Sequence, residues 1–178
     1  MGRGQNNLPP APSILDFKPE KLFELLNKNG VEYIVVGGMA VSAHGYIRTT
    51  NDLDICPKQN PENIRRLAKT LETIKYTILG LGDFNPNEFD LKPDFEGLSQ
   101  GGNWRLQTQY GILDIMQYFK AAEDVNVLFD EAIELDIDDV KVQFVGYDDL
   151  LLLKTDAGRP QDKADIEALK AYNEGKES

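Results

Sequence analysis

In DLDI, residues 52–55, two aspartates stand one residue apart between apolar neighbours. A strand alternates its side chains between faces, so Asp52 and Asp54 project from one face and Leu53 and Ile55 from the other. Two carboxylates so placed repel each other, which pushes one pKa up unless a cation sits between them. Mg²⁺ suits such a site, because it takes a few carboxylates and completes its octahedron with waters and substrate phosphates. A third carboxylate on a neighbouring strand would complete a two-metal arrangement. Asp114 in GILDIMQY is the candidate, flanked like the others by apolar Leu113 and Ile115. The alternative is that DLDI is the solvent face of an amphipathic edge strand, which the depletion of Asp in strands disfavours.

Before these carboxylates comes VEYIVVGGMAVSAHG, a strand-like run, the pair Gly37-Gly38 and a short helical segment. Strand, glycines, then helix is a layout that can hold phosphate. Glycine lets backbone approach a ligand closely, and the first amides of the helix offer donors and a positive dipole end. Neither a GKS/GKT P-loop nor a G-x-G-x-x-G loop is present. Taken alone, the pair could equally be a tight strand-to-helix turn. With the carboxylates it suggests a triphosphate held between loop and metal.

The elements that must position these residues can be read from periodicity. Lys18 to Asn29 carries a helical stripe of Leu22, Phe23, Leu25 and Leu26, closed by Gly30. Glu32 to Val36 and Asp52 to Cys56 read as strands, the second ended by Pro57. Asn60-Pro61 starts a helix with Ile64, Leu67, Ala68 and Leu71 on one face. From Gly80 to Gly102 the chain is rich in Gly, Pro, Asn and Asp and reads as a long ordered loop of functional rather than neutral character. Trp104–Gln109 and Ile112–Tyr118 read as a hairpin through Tyr110-Gly111. Ala132–Leu135 and Val140–Val145 make a second pair around an acidic turn. Asp148 is expected to cap a helix through Lys154, broken by Gly158, and Pro160 to begin a last helix with Ile166 and Leu169. The sum is an α+β fold with a mixed sheet and packed helices. Its expected divisions are a flexible Pro-rich leader over 1–15, an α/β core over 16–146 and a helical segment over 147–178.

Composition narrows the function classes. The 178 residues suffice for one full core, and the formal net charge of −11 argues against an extended phosphate-tracking surface. No apolar run reaches membrane-spanning length, and the N-terminus lacks a secretory core, so a cytoplasmic protein without membrane contact is expected. One cysteine, Cys56, excludes an intrachain disulfide and a cysteine zinc site. It reads as a small buried hydrophobe.

The combination GG, then RTTNDLDI, then a later strand carrying Asp114, resembles the signature of the nucleotidyltransferase superfamily. GYDDLLLLKTDAGRPQDKADIEAL resembles the end of its minimal and AbiEii-toxin-like members, so the likeness runs from about Glu32 to Leu169. The resemblance implies a nucleotidyltransferase fold and Mg²⁺-dependent transfer of an NMP group from an NTP to an acceptor hydroxyl on RNA, protein or a small molecule. A toxin with an antitoxin partner is one version. Gly37 and Gly38 would hold the β- and γ-phosphates, Asp52 and Asp54 the metal, and Asp114 would be third ligand or base. Lys154 would reach the triphosphate from the C-terminal helix. Many members carry Ser where this chain has Gly38, so a hydroxyl contact to phosphate is missing here.

Other residues admit two readings. Arg48 could contact phosphate or pair with an aspartate to hold the loop. His44 reads as a packed or solvent-facing histidine, since one histidine makes no metal cluster. Without the resemblance, Lys154 would be a helix-end lysine suited to the dipole. Arg159, Asp162 and Asp165 read first as a salt-bridged turn around Pro160 and second as support for Lys154. Asp136, Asp138 and Asp139 lack the glycine and closing glutamate of a calcium loop and read as a solvated turn. Trp104 and the loop phenylalanines Phe84, Phe89 and Phe95 read as core plugs. The competing function is a catalytically silent nucleotide-binding or interaction module. Three intact carboxylates speak against it, since a silent module has no need of their mutual repulsion.

Overall fold

The computed structural model describes residues 17–80 and 90–176. Its centre is a parallel pair of strands, β2 (Asp52–Pro57) and β5 (Gly111–Met116). On their apolar face Leu53, Ile55, Leu113 and Ile115 are all buried, as the alternation in both segments requires. Around this pair a seven-stranded mixed sheet forms in the order β3-β4-β5-β2-β1-β7-β6. Here β1 is Tyr33–Val35, β3 Tyr76–Gly80, β4 Asn103–Thr108, β6 Ile133–Ile137 and β7 Val140–Phe144. β2 is thus a central strand, which removes the edge-strand reading of DLDI.

The helices are α1 (Pro19–Lys28), α2 (Gly37–Ala43), α3 (Pro61–Glu72), α4 (Phe95–Ser99), α5 (Tyr147–Ala157) and α6 (Pro160–Lys176). α1 buries Leu22, Phe23 and Leu26, and α3 buries Ile64, Leu67, Ala68 and Leu71, the stripes their spacing predicts. Asn60 caps α3 by accepting from the Asn63 amide, with Pro61 in the first turn where its missing N–H costs nothing. α2, α5 and α6 pack together beside the opposite, carboxylate-bearing face.

Three local expectations change. α5 starts after Gly146 rather than at Asp148, and Asp148 and Asp149 instead sit in its first turn, where acidic charge suits the dipole. The segment Tyr76–Gly80 forms an extra strand, β3, at the sheet edge. Edge position leaves it only half-buried, and a register shift between Ile78 and Gly80 interrupts its alternation, so its sequence carries little period-two signal. The long loop contains α4, capped by Asp94 accepting from the Gly97 amide. Phe95 lies under the Arg65 guanidinium, and Phe84, Phe89 and the 1–15 leader lie outside the described residues. A 3₁₀ turn over Val125–Phe129 is also new.

Both hairpins form, with shifted turns: Thr108 pairs with Gly111, so the first turn is Gln109-Tyr110 rather than Tyr110-Gly111, and Ile137 pairs with Val140, so strand pairing narrows the acidic turn to Asp138-Asp139. The β6–β7 turn holds Asp138 and Asp139 at φ 46 and 66, left-handed values that short polar side chains tolerate. Trp104 is buried in the core, and Cys56 is fully buried, its thiol pushed up to about 12 by burial. No helix among the described residues is long and apolar enough to cross a membrane.

Candidate active site

The register of three strands assembles the acidic wall of a cleft. Parallel pairing sets Asp54 of β2 opposite Asp114 of β5, and antiparallel pairing sets Arg105 of β4 opposite Asp114. Register partners share a face, so Arg105, Asp114 and Asp54 form one row across the sheet, with Asp52 two residues from Asp54 on the same side. Oxygens of the three carboxylates lie within 4.8 Å of one another. Burial, reinforced by the Asp52 and Asp114 charges, pushes the Asp54 carboxyl up to about 7. Burial also pushes Asp114 up to about 6, while Arg105 pulls against it. An all-oxygen set this close fits a hard divalent cation such as Mg²⁺, and the raised pKa values mark negative charge that the protein compensates incompletely.

Gly37 and Gly38 open α2 directly beside this wall. Gly37 has φ +63, and a Cβ there would run into the Asp54 carboxylate. Only glycine satisfies both the left-handed backbone and the close approach. A Cβ on Gly38 would lie 2.7 Å from a terminal nitrogen of Arg48 and 3.0 Å from the Thr50 hydroxyl. The place of the missing serine side chain is therefore taken by a guanidinium and a threonine hydroxyl. Thr50 in turn donates to Asp52 Oδ1 at 2.9 Å.

Across the cleft stands a cationic wall. Gly158, at φ +62, ends α5 in a left-handed cap and turns the chain so that α6 begins at Pro160. Asp162 and Asp165, one turn apart on α6, then face Lys154 of α5. The Lys154 ammonium, almost wholly buried, lies 3.1 Å from Asp162 Oδ1 and 2.7 Å from Asp165 Oδ2. Arg48 Nε lies 3.1 Å from Asp165 Oδ1, and Arg159 Nε donates to Asp162 Oδ2 at 2.7 Å. Burial alone would push the Asp162 carboxyl up, but hydrogen bonds from Arg159 and Lys154 outweigh it and hold the group below its usual range.

Asp52, Asp54, Asp114, Gly37, Gly38, Arg48 and Lys154 therefore all line one cleft of about 700 Å³. Arg48 pairs with Asp165 on α6 rather than with the DLDI aspartates. His44 lies apart, packed edge-on against Tyr147 and bonded through Nε2 to the Val145 carbonyl at 2.8 Å. Arg159 lines the cleft as well as bracing the turn. Sequence reasoning missed Arg105, which donates to Asp114 Oδ2 at 2.5 Å and to Asp52 Oδ2 at 3.3 Å. A signal existed: counting outward from the Thr108–Gly111 closing pair of the hairpin places Arg105 opposite Asp114. Leu79, Asn103, Met116 and Phe119 line the cleft as well.

Comparison with known proteins bears on the fold and the family. The lincosamide antibiotic adenylyltransferase LnuA, bound to lincomycin, superposes with a TM-score of 0.56 at 19% identity, over 85% of this chain and 94% of that one. The antibiotic-resistance factor ANT(2'')-Ia gives 0.54 at 15% identity, over 88% and 80%. A putative nucleotidyltransferase from Thermotoga maritima, TM1012, gives 0.53 at 14%, over 89% and 96%. At such identities the likeness establishes a shared fold. The search of curated proteins gave no match. A family model described as "Nucleotidyltransferase of unknown function (DUF6036)" matches residues 19–175, nearly the whole chain, and the protein belongs to that nucleotidyltransferase family.

Proposed function

We propose that this chain transfers a nucleoside monophosphate from a Mg²⁺-bound NTP to an acceptor hydroxyl. The observation that carries the reading is the convergence of Asp52, Asp54 and Asp114 beside Gly37-Gly38, facing a cationic wall across one cleft. In this reading Asp52, Asp54 and Asp114 would hold the metal, which when bound stabilises charge on the attacking and leaving oxygens. The α2 amides at Gly37 and Gly38 would take phosphate oxygens, with Arg48, Lys154 and Arg159 drawing the triphosphate to the opposite wall. The acceptor oxygen bonds to the α-phosphorus as the bond from that phosphorus to the β-phosphate bridging oxygen breaks, and pyrophosphate leaves. Asp114, whose pKa stands near 6, would receive the hydroxyl proton if it is not engaged as a ligand. Residues 16–146 would form the catalytic core, and 147–178 the helical segment that supplies the cationic wall. A reducing cytoplasm suits a chain whose one cysteine is buried.

In-line displacement places the acceptor opposite the departing pyrophosphate. With phosphates at the glycines and Arg48, the acceptor would enter past Leu79, Met116 and Phe119. That apolar lining, on a chain of net charge −11, favours a small molecule with an apolar face over an RNA end. Two of the fold neighbours are likewise an antibiotic adenylyltransferase and an antibiotic-resistance factor. A toxin acting on RNA or protein is the second version of the same chemistry.

The test is incubation with α-labelled NTPs and Mg²⁺ against pools of small molecules, RNA and protein. Label should move to the small-molecule pool and be lost in Asp54→Asn. Label on RNA or protein would favour the toxin version. No transfer, with NTP binding that is independent of metal and unchanged in Asp52→Ala and Asp54→Ala, would favour the silent module instead.

A further inference from the structure

Arg105 bridges Asp52 and Asp114, two of the three carboxylates that would hold a divalent cation. Its two terminal nitrogens reach one oxygen of each carboxylate, at 2.5 Å to Asp114 and 3.3 Å to Asp52. Each carboxylate keeps its second oxygen, so the guanidinium does not block a cation outright, but it holds an acceptor oxygen of each and sets a positive charge where a dication would be repelled. The other cations of the cleft are committed elsewhere: Lys154 to Asp162 and Asp165, Arg48 to Asp165, and Arg159 to Asp162.

Arg105 also has somewhere to go. Its side chain is 44% exposed, and its neighbour on β3 is Gly80, at the register shift in that strand. Among the described residues, a Cβ added to Gly80 would meet nothing within 4 Å, and Gly80 lines the same cleft. A guanidinium this exposed can swing while its backbone stays in the sheet.

We propose that Arg105 is a resident counter-ion that exchanges with the metal, so that a divalent cation enters this site efficiently only in company with a triphosphate. The inference rests on the metal reading of the carboxylates given above. A free cation competes with the guanidinium for the same carboxylates and leaves it only water as a partner. A cation carried on an NTP brings phosphate oxygens that take the displaced guanidinium, so the exchange trades one set of charge-assisted bonds for another. Metal and nucleotide then bind with positive coupling, and the coupling is reciprocal.

The experiment is a Mn²⁺ titration read by the EPR signal of the free ion, with the full chain, in the presence and absence of a non-hydrolysable NTP analogue. Wild type should bind free Mn²⁺ weakly and gain strongly from the analogue. Arg105→Gln should bind free Mn²⁺ roughly tenfold or more tightly, the scale expected for removing one positive charge a few ångströms from a dication. It should gain much less from the analogue. Arg105→Lys keeps the charge and should fall between them, and thermal unfolding checks that each variant is folded. Free Mn²⁺ affinity unchanged or weakened in Arg105→Gln, with binding to wild type intact, overturns the exchange and leaves the metal reading standing. No Mn²⁺ binding to either protein, even with the analogue, overturns both.

Discussion

The two walls of the cleft are built by opposite means. The carboxylate wall stands on β2 and β5, its spacing fixed by sheet register, and among the described residues Arg105 is the one cation that forms ion pairs with it. The cationic wall stands on α5, α6 and the segment before β2, and each of its cations has a carboxylate partner among Asp162 and Asp165. The consequences show in the proton equilibria. Asp54 and Asp114 are pushed up to about 7 and 6, whereas Asp162 is held low. One wall is strained in the absence of a further cation; the other is rigid before any ligand arrives. A site for a metal-bound polyphosphate needs both properties, a place with charge to be neutralised and donors that need no reordering.

Breaking each wall should therefore have opposite effects on stability. Asp165→Ala removes a fully buried carboxylate from between Lys154 and Arg48, strands the guanidinium and leaves the buried ammonium with Asp162 alone. Urea unfolding should show a loss of about 3–5 kcal/mol, the cost of breaking a buried charge pair. Asp54→Asn should leave the fold intact and make the metal-free chain at pH 8 more stable by about 1–2 kcal/mol, since a repelled, desolvated charge is gone. Nucleotidyl transfer should nevertheless fall by roughly 10²–10³-fold, the scale of losing one preorganised electrostatic group. If Asp54→Asn destabilises the metal-free chain as Asp165→Ala does, the contrast between the walls is wrong.

The same difference explains what could be read from the sequence. The acidic wall was legible because alternation fixes which residues of DLDI and GILDIM share a face, and local pairing rules then do the rest. Arg105 was within reach of hairpin counting, yet WRLQ presents one arginine in an ordinary strand, with nothing to single it out until Asp114 is set beside it. The cationic wall depends on the angle at Gly158 and on packing α6 against α5. No period in the sequence encodes such packing, so Asp162 and Asp165 read first as a salt-bridged turn, which Arg159 and Asp162 do form, and only second as the support of Lys154 that their burial makes them. β3 was hidden for a further reason: an edge strand with a register shift has no clean alternation.

The glycine pair joins the walls, and its two members should respond differently. Gly37→Ala forces a Cβ into the left-handed region, at about 1–2 kcal/mol, and into the Asp54 carboxylate. Asp54 must move, so transfer should drop although no reacting group has been removed. Gly38→Ala brings a Cβ to 2.7 Å from a terminal nitrogen of Arg48 and 3.0 Å from the Thr50 hydroxyl, so the guanidinium tip must turn aside while its Nε stays beside Asp165. The stability cost should stay below about 1 kcal/mol, with the larger change in KM for the NTP than in kcat. Paired thermal unfolding and steady-state kinetics of the two variants check the ranking. Equal effects would mean that Asp54 is not held where its approach to Gly37 implies.

Without any substitution, the same difference between the walls should appear as a slope of stability against pH. The Asp54 carboxyl rises from an ordinary value of 3.8 to about 7 on folding, so between those values the folded chain holds more proton than the unfolded one. Stability must then fall as pH rises through that window, being fully present below about 4 and lost above about 7. Asp114, rising to about 6, adds to the same slope. Asp162 acts in the reverse sense: its contribution is present above its ordinary pKa and is lost only as pH falls below it. In EDTA the melting temperature should therefore pass through a maximum near pH 4–5 and decline towards pH 7, by an amount corresponding to about 1–2 kcal/mol after screening by the water in the cleft. With Mg²⁺ and a non-hydrolysable NTP analogue the decline should vanish or reverse, because a bound metal requires the carboxylates ionised. Asp54→Asn should flatten the EDTA curve while leaving the acid limb set by Asp162 in place. A metal-free curve that rises from pH 4 to 7 would mean that Asp54 and Asp114 are already fully compensated, and the two walls would then not differ in kind.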